Sequence, residues 1–431
     1  MRENLKVKSI NQLFYMLVLS GLFLMSGAIA SEPAQRALAA MCKGTQYGIG
    51  EILSEFPDSR LIESQVQKFK GQPRRIKHVL GLSGGGELRI VRIYSLGQLR
   101  RISIEYHRIS TDGEFLPIMS VSGSASCDEI ERRVMTYGPS GKPYKLDINR
   151  SGAKSEILLN PEVPAGSDPG GVLVAVIDTG VNYLLPEFSM RLARDGFGKI
   201  SGYDFWDNDD RPFDIDSSRS LFFPLHHGTA VTSIILREAP TARILPYRYP
   251  RQNMALMADV IKHADNAGSR IISIAMGSSR REDWREFEVA VRARPHLLFI
   301  VSAGNDGRDI DVTPLYPAAL DLSNLVTVTS SDHSGRLAAG SNWGKFGVDI
   351  MVPGERIPVI DHRGVSVKAS GSSFAVPRIT ALAARWLSQY PHWTSEDLKS
   401  ALFSRARDLN GILKIKLKHG WIPDPTDDYL P

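Results

Sequence analysis

The chain has 431 residues, 42% of them hydrophobic and 23% charged, with a formal net charge of +5. That length predicts two or three domains, and the composition is that of a globular protein with a sizeable core, which excludes a disordered chain. The charge is too small and scattered for a nucleic-acid surface: the densest basic run, Lys68 to Lys77, holds one aromatic residue and reads as a solvated face.

The amino terminus reads as an address. Arg2, Lys6 and Lys8 precede a nearly unbroken apolar run from Leu13 to Ala30, and Ala28-Ile29-Ala30 supplies the small residues of a cleavage site. Residues 1–30 are therefore expected to be a signal peptide cut before Ser31, with the mature chain exported to a periplasm or the exterior. Left uncut, the same run is long enough to anchor the chain in a membrane. In an oxidising compartment the two cysteines, Cys42 and Cys127, are expected to pair, closing a loop of about 85 residues. Two unpaired thiols are the alternative.

Residues 31–160 predict a small α+β domain. A charged stretch from Glu51 to Phe69 reads as helix, and Leu88 to Tyr94 and Arg101 to Tyr106 read as half-exposed antiparallel strands. Gly97 and Asp112-Gly113 mark turns, and Asp128 to Met135 reads as a short helix. Gly81-Leu82-Ser83-Gly84-Gly85 fits a Gly-x-Ser-x-Gly nucleophile motif, but a strand pattern follows where that motif needs a helix, so it reads as a turn. Residues 161–171 form a linker: three prolines and three glycines between Asn160 and Gly171 predict an exposed, protease-sensitive segment.

From residue 172 to about 409, short apolar strands (172–177, 199–204, 242–247, 270–275, 297–302, 325–330) alternate with amphipathic helices (227–237, 253–267, 282–293, 373–388, 395–405). This alternation predicts an α/β domain with a mostly parallel sheet and helices on both faces. Residues 410–431 read as a carboxyl-terminal tail.

Four segments carry chemistry. The strand from Val172 ends in Asp178-Thr179-Gly180, which alone fits a strand-end turn or the Asp-Thr-Gly of an aspartic protease. His227-Gly228-Thr229 opens a helical pattern, with His226 as the competing imidazole. Leu297 to Gly307 is a buried strand that releases Asn305. Ser372-Ser373 begins a long helix rich in Ala and Leu, where backbone N–H groups favour developing negative charge. A serine nucleophile needs a base, a carboxylate to orient that base, and donors for the oxyanion.

In this order the four blocks resemble those of the subtilisin-like serine proteases, the subtilases. The resemblance runs from about Gly171 to Leu409. It implies a three-layer, doubly wound fold around a seven-stranded parallel sheet, and a peptidase acting on protein or peptide substrates without a required cofactor. It further implies Asp178 as orienting carboxylate, His227 as general base, Ser373 as nucleophile and Asn305 as oxyanion-hole donor. Ala275, Met276 and Gly277 would line the substrate groove, with Ala303 and Gly304 as the opposite wall, a set that favours an apolar side chain before the cut bond. The amino-terminal domain would be either an inhibitor later cut away or a retained accessory domain. The order Asp, His, Ser excludes chymotrypsin-like and α/β-hydrolase arrangements, and there is no second Asp-Thr/Ser-Gly for an aspartic protease.

Ser372, Phe374, Arg378 and Thr380 depart from the family pattern without touching a chemical role. The Asp-rich stretch containing Asp207, Asp209, Asp210 and Asp214 is a calcium candidate, although it lacks EF-hand spacing. The short connection from Leu236 to Arg243 leaves no room for the calcium loop that many subtilases carry there. Competing functions are a catalytically silent binding protein of this fold and a membrane-anchored processing protease.

Overall fold

The computed structural model describes residues 32–43, 49–139, 141–408 and 416–428. The predicted signal segment and its cleavage point lie outside the described residues. The chain falls into two compact units: residues through Leu159 together with Ser220–Phe223, and Asn160–Arg219 together with Pro224 onward.

In the first unit, helices α1 (Glu32–Lys43) and α2 (Ile49–Glu55) precede eight antiparallel strands in sequential order. These are β1 (Arg60–Phe69), β2 (Gln72–Gly81), β3 (Glu87–Ser95), β4 (Gln98–Ile109), β5 (Phe115–Ser124), β6 (Glu129–Tyr137), β7 (Pro143–Arg150) and β8 (Ala153–Leu158). Its core joins Ala34, Leu38 and Met41 of α1 to Leu88, Ile102, Ile104 and Val121 of the sheet. Alternate strand positions carry polar groups, among them Glu131, which is buried and accepts from Arg133 Nε and Arg150 Nε at 2.7 Å each. Cys42 and Cys127 are disulfide-bonded, fastening α1 to the β5–β6 turn.

Two elements differ from expectation here. Helix in the Glu51 to Phe69 stretch stops at Glu55, and Arg60–Phe69 is strand. The deciding signal is Lys70-Gly71, with φ of +48° and +79°, a two-residue hairpin turn that registers Phe69 against Gln72. As an exposed edge strand, β1 carries the charges that suggested a helix face. Glu129–Tyr137 is also strand, with Glu131, Arg133 and Met135 buried at a period of two.

The second unit is built on one parallel sheet in the order β10-β11-β9-β12-β13-β14-β15-β18. Its strands are β9 (Leu173–Asp178), β10 (Tyr203–Asp204), β11 (Arg243–Arg248), β12 (Ile271–Ile274), β13 (Leu298–Ser302), β14 (Leu325–Ser331), β15 (Ile350–Pro353) and β18 (Gly420–Trp421). The sheet has eight strands where seven were expected; both edge strands, β10 and β18, have two residues, and β18 draws part of the predicted tail into the sheet beside β15. Besides a single turn at Pro186–Ser189, the helices of its described residues are α3 (Gly228–Glu238), α4 (Met257–Asn266), α5 (Arg285–Arg292), α6 (Ser372–Gln389) and α7 (Ser395–Arg405). A hairpin of β16 (Ile357–Ile360) and β17 (Ser366–Ala369) precedes α6.

Period-two burial makes the layers. Ala175 and Ile177 of β9 pack with α4 and α5, whereas Val174 and Val176 pack with α3, α6 and α7. Both faces are apolar, so the strands read as continuous hydrophobic runs. Strand order reverses about β9, and such a switch point opens a crevice at the carboxyl ends of the strands.

Candidate active site

Asp178 ends β9 at that crevice with 2% exposure. Its Oδ1 and Oδ2 stand 2.8 and 3.0 Å from His227 Nδ1. An ionised carboxylate only accepts, so Nδ1 carries the proton and Nε2 keeps a lone pair, the tautomer a general base requires. Burial pushes the His227 pKa down, but the charge and hydrogen bond of Asp178, helped by Asp214 and Asp216, leave it above the ordinary imidazole value.

His227 is placed by Thr179 and Asp214, to which the sequence assigned no role in holding the imidazole. The Thr179 hydroxyl donates to Asp214 Oδ1 at 2.5 Å and accepts from the backbone N–H of His227 (3.1 Å) and Gly228 (2.8 Å). Asp214, fully buried, accepts from His227 N on Oδ1 and from Thr229 N on Oδ2, each at 3.0 Å. Burial pushes this carboxyl up, yet His362, His226 and the Thr179 hydrogen bond hold it well below the usual carboxylate range. Gly228 is required by packing: a Cβ there would lie 2.0 Å from Gly180 O. His226 points elsewhere, donating from Nδ1 to Asp214 O at 2.6 Å, and it stacks on His362.

Ser373 is the second residue of α6, so its backbone N–H is one of the first-turn donors that a helix leaves unpaired. The preceding Gly371 has φ +138°, and a Cβ there would press on Asn305 Oδ1 at 3.1 Å. Asn305 Oδ1 accepts from Ser372 N (2.8 Å) and Ser372 Oγ (3.0 Å), which leaves its Nδ2 donors available. The Ser373 hydroxyl donates to Ala275 O at 3.1 Å and has no hydrogen bond to His227 in this conformation. Such contacts are often loose before substrate binds.

Ser373 and Asn305 line a cleft of about 560 Å³ with the expected Ala275, Met276, Gly277 and Gly304. Ala303 does not line it: its methyl lies in the core beneath, and Ser278, Ser279, Ser302 and Leu315 are among the other lining residues. The polar Arg308 and Asp306 also line this cleft, which is less apolar than the motif residues implied. Arg378 is turned to Glu238, at 3.0 and 3.2 Å, and to Pro353 O.

The four calcium candidates are not gathered into one cluster. Asp207 pairs with Arg248, Asp209 with Arg211 and Asn160, and Asp210 with Lys199, while Asp214 serves the His227 backbone.

The Subtilase family profile matches residues 170–421, more than half of the chain, and the chain belongs to the subtilase family. It is 31% identical over 242 residues to a thermophilic serine proteinase of Bacillus sp. (strain AK1), covering 53% of this chain and 54% of that one. With thermitase of Thermoactinomyces vulgaris it shares 25% identity over 259 residues, 57% of this chain and 84% of the relative. The match to alkaline serine exoprotease A of Vibrio alginolyticus, 28% identical, covers 65% of this chain and 51% of that protein. The chain thus spans about half the length of the Bacillus and Vibrio relatives. The crystal structure of a lanthipeptide protease shares the fold, with a TM-score of 0.50, 21% identity, and coverage of 59% of this chain and 87% of that one.

Proposed function

We propose that the protein is an exported serine endopeptidase working through Asp178, His227 and Ser373. The observation that carries this reading is the Asp178–His227 Nδ1 pair, whose imidazole lies 5.8 Å from the ring of Phe374, next in sequence to Ser373, while Ser373 and Asn305 line one cleft. In this reaction the Ser373 hydroxyl leaves Ala275 O and gives its proton to His227 Nε2 as Oγ attacks the peptide carbonyl. Asn305 Nδ2 and the Ser373 backbone N–H stabilise the oxyanion. His227 then protonates the leaving amine, and water activated by the same imidazole releases the acyl group. The substrate lies extended beside Ala275 to Gly277.

Export is supported by the amino-terminal sequence and by the Cys42–Cys127 disulfide. No helix of the described residues is long and apolar enough to cross a membrane. The linker from Ala165 to Ser167 and from Pro169 to Gly171 is exposed, which favours cutting there and release of the amino-terminal unit.

The test is parallel expression of wild type and Ser373→Ala, with casein hydrolysis and chain mass as readouts. Hydrolysis by wild type alone is expected, and equal hydrolysis by both overturns the assignment. Loss of about the first 160 residues in wild type only marks self-processing; an intact wild-type chain marks a retained accessory unit.

A further inference from the structure

Asp214, His226 and His362 play no direct part in the acyl-transfer steps. Each offers one donor atom, and these lie within 4.8 Å of one another; among the described residues no other group of three His, Cys, Asp or Glu does this. Asp214 and His226 come from the segment leading into α3, and His362 from the β16–β17 turn.

Three features suit a metal ion. His226 Nδ1 faces the Asp214 carbonyl oxygen, which can only accept, so Nε2 of the neutral ring is the free ligand atom. A second hydrogen bond of this kind is what metal-bound imidazoles normally make. His362 Nδ1 is buried without a hydrogen-bond partner and stands 3.6 Å from Asp214 Oδ2. That is long for a hydrogen bond but near the roughly 3.3 Å between two ligands of one tetrahedral zinc ion. Oδ2 accepts from Thr229 N at 3.0 Å and faces His362 Nδ1 at 3.6 Å, so a second lone pair is directed to the cluster. The rings of His226 and His362 stack at 3.6 Å, so they must part for both to reach one ion.

We propose that Asp214, His226 and His362 bind a transition-metal dication of the zinc class, with water as fourth ligand, and that occupancy lowers peptidase activity. Two imidazole nitrogens and one carboxylate oxygen are a borderline donor set, unlike the all-oxygen set that calcium prefers. Asp214 also holds the backbone N–H of His227 and Thr229, so an ion drawing on Oδ2 displaces the segment carrying the general base. The effect on activity rests on the peptidase reading; binding does not.

The two are separated by titrating ZnCl2 calorimetrically into full-length Ser373→Ala protein, which has no nucleophile. One zinc per chain is expected, weakened at least about 10-fold by adding His362→Gln. Cobalt(II) should give the visible absorption of a tetrahedral nitrogen–oxygen site in Ser373→Ala, which keeps the decision clear if His362→Gln misfolds. On otherwise wild-type enzyme, His362→Gln should raise the zinc concentration for half-inhibition by a similar factor. Zinc held only by His227 and Asp178 would leave both measurements unchanged in His362→Gln. That result, or no stoichiometric binding and no cobalt band, overturns the proposal. Zinc binding by a protein without peptidase activity would keep the site and remove the functional reading.

Discussion

At the scale of single residues, His227 is pulled in two directions: burial disfavours its charge, whereas Asp178 at 2.8 Å favours it more strongly. A general base works only when neutral, so kcat/KM should rise with pH through a pKa above the ordinary imidazole value near 6.5. Asp178→Asn should move that acid limb to lower pH and cut kcat by about 10⁴-fold. Rate profiles recorded with EDTA present check this, and an unmoved limb contradicts it. Asn305→Ala should lower kcat by about 10²–10³ with little change in KM, a magnitude measured in a member of this family. Asp178, His227, Asn305 and Ser373 were legible because each stands in a short block tied to a strand end or helix start. The positioning role of Thr179 and Asp214 was not, because their hydrogen bond joins residues 35 positions apart with no motif to link them.

At the scale of elements, the start of α3 packs on the chain leaving β9 by close backbone approach. Gly228→Ala should cost about 1–3 kcal/mol, since its methyl meets Gly180 O and the Asp178 side chain. Thermal melting in a Ser373→Ala background, where self-digestion is absent, measures this; an unchanged midpoint contradicts it. The parallel strands were readable because burial on both faces leaves unbroken apolar runs such as Leu173 to Ile177. Strands β1 and β6 were not, because alternating charged residues resemble a helix face until their hairpin turns are recognised. The edge strand β18 exists through pairing with β15, which local sequence does not record, and the expected strand at 199–204 is reduced to the two residues of β10 that pair with β11.

At the scale of the whole molecule, the two units have separate cores, and only the first contains a disulfide. Reducing Cys42–Cys127, which are separated by 85 residues, should lower the stability of the first unit by about 4.5 kcal/mol on the loop-entropy model. All six tryptophans lie beyond residue 200, so their fluorescence reports the second unit alone. Reduction should speed hydrogen exchange in β4 to β6 while leaving the tryptophan unfolding midpoint in place; a matching fall in both contradicts separate cores.

The central claim is that Ser373 is an activated nucleophile. A fluorophosphonate reagent, followed by peptide mass mapping, tests it most directly. One adduct per chain on Ser373 is expected, absent in Ser373→Ala and slowed in Asp178→Asn. No adduct on folded wild type, or an equal adduct in Ser373→Ala, would contradict the account.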